Sequence, residues 1–273
     1  MRFEWDEAKN SENIRKHQIN FADIPLDMND KNLSNISHIN WAAMQDPYIQ
    51  CIAKGEGKAL VFLNGYRMKY EENGEIWTAH LRQSNWQGAI YQLWWDAGSV
   101  YGIKNMSPLG RIPIVNEIIH GYPHWQVIIK RAKTTGLKYF QSLIASIPEA
   151  QISLIGYSLG CRVIHYGMLN YKPQSSTQSI QNIYLLAGAI RTIQWDEIAS
   201  KISGKVYNFY NVNDHVLREY FSIKQTYQYK PCGISPIKSQ LDRIHNVNVT
   251  KIFNTQKHDL EIYLTTLKKF NYF

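Results

Sequence analysis

The sequence predicts an α/β protein, a mainly parallel sheet covered by helices on both faces. Short apolar runs alternate with helix-length segments from about Lys58 onward, the runs end in turn residues, and one leads into a glycine-flanked serine. Ala59 to Leu63 is fully apolar and ends at Asn64-Gly65-Tyr66, and Ala89 to Trp95 is a second strand closed by Asp96. Between Ala97 and Pro123 repeated glycines and prolines predict loop and short helix, a wall or lid of a pocket. From Trp125 to Ile147 the apolar residues Ile129, Ala132, Phe140, Ile144 and Ile147 follow a period near 3.6, and Pro148 closes that helix. The apolar run from Ile152 precedes a helix-like stretch from Cys161 to Leu169, and a serine- and glutamine-rich loop spans Gln174 to Gln181. Ile183 to Ala187, Lys205 to Asn211 and Val247 to Phe253 supply the remaining strands. A closing helix carries Leu260, Tyr263, Leu264 and Leu267 on one face.

At 273 residues with 44% hydrophobic and 19% charged residues, the chain suits a globular protein, not a disordered one. Cys51, Cys161 and Cys232 are odd in number, widely spaced and form no CxxC pair, which argues against a disulfide scaffold or a cysteine-bound zinc. Cys161 reads as a buried structural thiol. No run of about 18 apolar residues predicts a membrane-spanning helix. The first residues, Met1 to Glu7, lack the apolar region of a secretory signal, so a cytoplasmic location is expected. A net charge of +8 is compatible with peripheral contact at an anionic membrane surface. No dense basic block is present, so nucleic acid is not the expected partner.

Gly156-Tyr157-Ser158-Leu159-Gly160, between a strand and a helix, reads as a nucleophile elbow, the turn that lifts a serine above an α/β-hydrolase sheet. Glycines flank the serine because bulkier neighbours would meet adjacent backbone. A serine hydroxyl needs a base to take its proton and an acid to orient that base, and in this fold they follow in the order Ser, acid, His. Asp214 comes directly after the strand ending at Tyr210, and His258 comes after the last strand and before the closing helix. Both fall at C-terminal strand ends, where α/β sheets gather their catalysts. Ser158 is therefore expected as nucleophile, Asp214 as acid and His258 as base. Asp196 is the second choice for the acid and His245 for the base; His215 adjoins Asp214 too closely to serve it; His120, His124 and His165 read as structural. The oxyanion-hole donors are expected to be the Leu159 amide and the Tyr66 amide after the first apolar strand, where Gly65 permits a tight turn.

Several segments together resemble the α/β-hydrolases of the transmembrane and coiled-coil domain proteins, a family labelled a domain of unknown function. They are Phe62 to Tyr66, Trp77, Leu93 to Asp96, the elbow with Arg162-Val163-Ile164, Leu185 to Gly188, and Gly204 to Asp214 with its Asn213-Asp214 ending. The resemblance covers roughly Lys58 to His258. It implies the α/β-hydrolase fold and a Ser158–Asp214–His258 triad, and implies no substrate. A second resemblance is confined to residues 1–24: Phe3 to Asp6, Lys9, Asn13, Lys16-His17, Ile19 and Phe21 resemble the start of BrnT-type ribonuclease toxins of bacteria. On this reading residues 1–40 are an N-terminal extension and 41–273 the hydrolase domain.

The expected function is hydrolysis of a small-molecule or lipid ester through an acyl-enzyme, with no cofactor and no metal. A non-catalytic binding or toxin-related module that keeps the fold stays open beside it, as does an RNA-directed toxin. Tyr101, Tyr122, Tyr220, Phe221, Tyr227 and Tyr229 would line an apolar acyl pocket or pack a core. Acyl length, headgroup and oligomeric state are not encoded in any motif.

Overall fold

Among the described residues seven strands form one sheet in the order β1-β3-β2-β4-β5-β6-β7: β1 (Tyr48–Ala53), β2 (Lys58–Leu63), β3 (Ala89–Trp94), β4 (Gln151–Tyr157), β5 (Ser179–Leu186), β6 (Val206–Tyr210) and β7 (Ile244–Asn248). The computed structural model describes residues 44–66, 74–98, 127–172, 178–222, 230–270 and 272, all within a unit of residues 44–100 and 106–273. β1 alone pairs antiparallel, on β3; every other ladder is parallel. The helices are α1 (Glu75–Gln83), α2 (residues 127–145), α3 (Gly160–Asn170), α4 (Trp195–Ser200), α5 (His215–Ser222), the single turn α6 (Thr250–Phe253) and α7 (Leu260–Lys269).

The sheet is covered on both faces, and strand alternation shows why. Phe62 stacks on Trp77 of α1 with ring centroids 5.0 Å apart. Its neighbour Leu63 pairs with Gly156, whose α-carbon faces Cys161 and Ile164 of α3. Successive residues of a strand point to opposite faces, so α1 and α3 lie on opposite sides. α7 joins α1, and α2 and α4 join α3. The middle strands are dry: Ala59 to Leu63 are all 0% exposed. Each large apolar side chain buried there contributes roughly 1.5–3 kcal/mol.

The parallel fold matches the expectation, and four element boundaries differ. β1 was not foreseen: Tyr48–Ala53 is an edge strand with burial on scattered residues and carries no continuous apolar run. β5 starts at Ser179, so Gln181 lies in a strand instead of a polar loop; its polar first half is only partly buried. Inside α2 the residues Thr135–Tyr139 widen into a π-helical turn before Phe140–Ala145 finishes the helix. The last strand is Ile244–Asn248 instead of Val247 to Phe253. β6 ends at Tyr210, opposite Asn248, so no ladder remains for the residues beyond. The Asn248 side chain then accepts from the Thr250 N–H at 3.1 Å and starts the turn α6.

Two buried polar groups brace the layers. Asp96, at the end of β3, pairs with Arg131 of α2 at 3.0 Å. His165 on α3 is fully buried beside Trp195, with its Nε2 3.1 Å from the Ile193 carbonyl. Burial first, then the charges of Arg191 and Arg162, push its imidazole down to about 4. An imidazole that resists protonation in the folded state favours folding above its unfolded value of about 6.5. Stability is therefore expected to fall by about 3 kcal/mol as pH drops from about 6.5 to about 4. Urea unfolding at several pH values checks this; His165→Phe should flatten that part of the profile.

Candidate active site

Ser158 leaves β4 in a left-handed conformation, φ 53°, which for a residue with a side chain costs about 1–2 kcal/mol. Backbone bonds hold the strain in place. The Ser158 N–H donates to the Leu186 carbonyl at 2.9 Å, and the Ser158 carbonyl accepts from the amides of Ala189 at 3.0 Å and Cys161 at 3.2 Å. Gly160 is needed for close approach: a β-carbon there would lie 2.3 Å from the Leu63 carbonyl oxygen. α3 begins at that glycine, so its N-terminal end faces the serine.

Asp214 and His258, expected as acid and base, meet in a hydrogen bond. Asp214 follows β6 and is fully buried, and both carboxylate oxygens are engaged. Oδ1 accepts from the Leu217 N–H at 3.0 Å, capping α5, and Oδ2 accepts from His258 Nδ1 at 2.6 Å. One side chain thus caps α5 and bonds the His258 imidazole. With Nδ1 bonded to the carboxylate, His258 keeps Nε2 for a proton acceptor's work. The imidazole packs 5.0 Å from the ring of Tyr157, the residue before the serine. Burial, and then the charges of Asp214 and Asp259, hold the Tyr157 phenol well above its ordinary value, so it stays neutral. Among the described residues Ser158 Oγ makes no hydrogen bond. Such a contact to the base is often long before substrate binds and tightens afterwards.

Asn211, passed over by the sequence reading, is a buried residue bridging two loops. It is fully buried, donates from Nδ2 to the Thr255 carbonyl at 2.9 Å, and accepts the Asn213 N–H at 3.0 Å. The His215 N–H reaches the Gln256 carbonyl at 3.1 Å, and the Val212 N–H reaches Thr250 Oγ1 at 3.0 Å. The loop bearing Asp214 is thus stitched to the loop bearing His258. The available signal was the Asn-x-Asn-Asp run of Asn211 to Asp214.

The loop after β2 is held with similar care. Trp77 Nε1 donates to Asn64 Oδ1 at 2.6 Å, and Trp95 Nε1 donates to the Asn64 carbonyl at 3.0 Å. The next residue, Gly65, lies against the elbow: a β-carbon there would meet the Tyr157 ring at 2.9 Å and Ser158 Cβ at 3.0 Å. The Gly65–Tyr66 backbone therefore sits beside the serine. Leu159, on the other side, is fully buried, and its N–H has no acceptor among the described residues.

The remaining candidates lie elsewhere. Asp196 is exposed in the first turn of α4. His245 lies within β7 instead of before it, against Tyr207, and His215 bonds the Gln256 carbonyl through Nδ1 at 2.6 Å. Cys161 is buried, and burial pushes its thiol well above the ordinary value. Residues 1–43, with the toxin-like segment and nearly all of the N-terminal extension, lie outside the described residues. So do His120, His124, Tyr101, Tyr122, Tyr227, Tyr229 and most of the wall from Ala97 to Pro123; the side chains of Tyr220 and Phe221 are likewise not described.

A sheet of this order that presents a strained serine at the end of β4 is an α/β-hydrolase fold. The chain belongs to the family described as a protein of unknown function, DUF726, whose pattern matches residues 108–267. An uncharacterized membrane protein of Caenorhabditis elegans is 31% identical over 133 residues, 47% of this chain and 21% of that protein. A probable lipase of Saccharomyces cerevisiae is 28% identical over 130 residues, 46% of this chain and 12% of that protein. A transmembrane and coiled-coil domain-containing protein of Oryza sativa is 25% identical over 133 residues, 47% of this chain and 20% of that protein. The chain thus spans about a fifth or less of the length of these relatives. Among solved structures, a lipase-esterase related protein of Clostridium acetobutylicum shares 12% identity and a TM-score of 0.42, covering 83% of this chain and 97% of that one. Among the described residues no helix is long and apolar enough to cross a membrane.

Proposed function

We propose that the protein is a serine hydrolase that cleaves an acyl ester through a Ser158–His258–Asp214 triad. The observation that carries this reading is the 2.6 Å bond from His258 Nδ1 to the buried Asp214, set beside a serine held at φ 53°. In the reaction Ser158 Oγ bonds to the acyl carbon while its proton passes to His258 Nε2. The imidazolium then gives that proton to the departing alcohol as the ester C–O bond breaks. Water repeats the sequence on the acyl-enzyme and releases the acid. Asp214 holds the imidazole in the accepting tautomer and stabilises its charge. The amides of Leu159 and Tyr66 stabilise the tetrahedral oxyanion, each worth roughly 3 kcal/mol. The probable lipase of yeast among its relatives is in keeping with ester chemistry.

Labelling with a fluorophosphonate probe tests the reading. Wild type should label, and Ser158→Ala and His258→Ala should not. A folded wild type that refuses the probe would shift the assignment to a non-catalytic binding module. The oxyanion loop gives a second test. Gly65→Ala pushes the loop from the elbow through its contacts at 2.9 and 3.0 Å. It should lower kcat about 10²-fold with KM little changed, since displacing an oxyanion donor costs transition-state binding. Unaltered kcat would remove Tyr66 from the oxyanion hole.

A further inference from the structure

Three cations gather around one buried phenol beside the elbow. Arg162 lies in the first turn of α3, and its guanidinium donates to the Ala189 carbonyl at 3.4 Å, while the Ala189 amide donates to the Ser158 carbonyl at 3.0 Å. Two residues on, Arg191 donates from a terminal nitrogen to the Tyr166 hydroxyl at 3.3 Å. The guanidinium carbon of Arg162 stands 5.6 Å from the centroid of the Tyr166 ring, and Lys133 Nζ of α2 stands 5.4 Å from it. The loop from Ala189 to Ile193 therefore runs alongside α3, from the serine to His165, with basic side chains along its course. Tyr166 lies about 9 Å along the helix axis from Gly160.

No carboxylate among the described residues pairs with Arg191 or Lys133. Burial alone would push the Tyr166 phenol up; the charges of Arg162, Arg191 and Lys133 outweigh it and hold the phenol below its ordinary value. Arg191 and Lys133 offer donors and positive charge toward an incoming oxyanion, and the Tyr166 hydroxyl, which accepts from Arg191, keeps its own proton to donate. Guanidinium forks and a lysine point charge are the groups that recognise phosphate.

We infer that Arg191, Tyr166 and Lys133 form a subsite for a phosphate group carried by the substrate, on the second turn of the helix that starts at the elbow, so that an acyl ester bearing a phosphate is preferred. This rests on the serine-hydrolase reading for its chemistry. The binding itself can be tested without it. A phosphate could reach the subsite on a lipid at a membrane surface or on a free acyl glycerol phosphate.

The experiment compares two esters of one acyl chain, a monoacylglycerol and its 3-phosphate, in wild type, Arg191→Gln, Arg191→Lys and Lys133→Gln. Wild type should show a kcat/KM at least about tenfold higher for the phosphate ester, the value of a charge-assisted hydrogen bond. Arg191→Gln and Lys133→Gln should each erode that ratio, and Arg191→Lys should restore part of it. A wild-type ratio near one, or a ratio that survives both glutamine variants, overturns the subsite. A second arm uses Ser158→Ala protein, with and without Arg191→Gln. It measures binding to the soluble acyl glycerol phosphate and sedimentation with phosphatidylcholine vesicles with or without phosphatidic acid. Arg191-dependent binding to the soluble compound assigns a free source, and binding to phosphatidic acid vesicles alone assigns a lipid surface. Absence of both overturns the subsite. If neither ester is cleaved and no probe labels the serine, yet Arg191-dependent binding persists, the subsite stands and the hydrolase reading fails.

Discussion

Ser158→Ala is expected to lower kcat for an acyl ester by on the order of 10⁶-fold while the protein unfolds at nearly the wild-type temperature. Alanine keeps the β-carbon, so the backbone stays at its left-handed φ with the same three backbone bonds. The hydroxyl makes no hydrogen bond among the described residues, so its removal leaves no orphaned partner there. Loss of activity without loss of stability would separate a chemical role from a structural one. The check pairs steady-state hydrolysis with thermal unfolding of the same preparation. A variant that turns over ester at more than a small fraction of the wild-type rate would mean that another group attacks.

Asp214→Asn should cost about 10⁴-fold in kcat through the tautomer of His258. The asparagine carbonyl can still accept the Leu217 N–H, so the cap of α5 survives. The amide NH₂ then faces His258 Nδ1, where the carboxylate oxygen had accepted a bond. The imidazole must turn its lone pair to Nδ1 and carry its proton on Nε2, and it can no longer take one from serine. A loss smaller than tenfold, measured across pH 6 to 9, would remove Asp214 from the triad. It would also leave the buried pair as a purely structural contact.

Much of the sheet was legible because its central strands are buried on both faces and read as unbroken apolar runs. Ala59 to Leu63 and Ala89 to Trp95 were placed to within a residue. The edges were not legible. Tyr48–Ala53 needs β3 beside it to become a strand, and nothing local announces that partner. Val249 to Phe253 has β-branched and aromatic residues that favour a strand, yet the neighbouring strand has ended and the Asn248 side chain bonds the first amide of a helical turn instead. The same logic divides the site. Ser158 carries a local signature, whereas Asp214 and His258 were chosen by their order along the chain. The two tryptophans that hold Asn64 and the amide of Asn211 act across loops, and their bonds span separations no spacing rule records. The cationic group around Tyr166 likewise draws on α2, α3 and the loop after β5, which only the fold brings together.

The placement of His258 has a consequence for the lifetime of the proposed enzyme. The serine rides on a central strand that is buried from Ile152 onward, whereas His258 follows β7, one of the two edge strands, whose residues are all partly or fully exposed. Unzipping that margin of the sheet requires far less free energy than melting the core. Local opening of that edge is therefore expected to displace His258 before the core melts, and hydrogen exchange of the β7 amides checks this. Loss of competence is then expected at a lower temperature than unfolding of the deep core around Ser158.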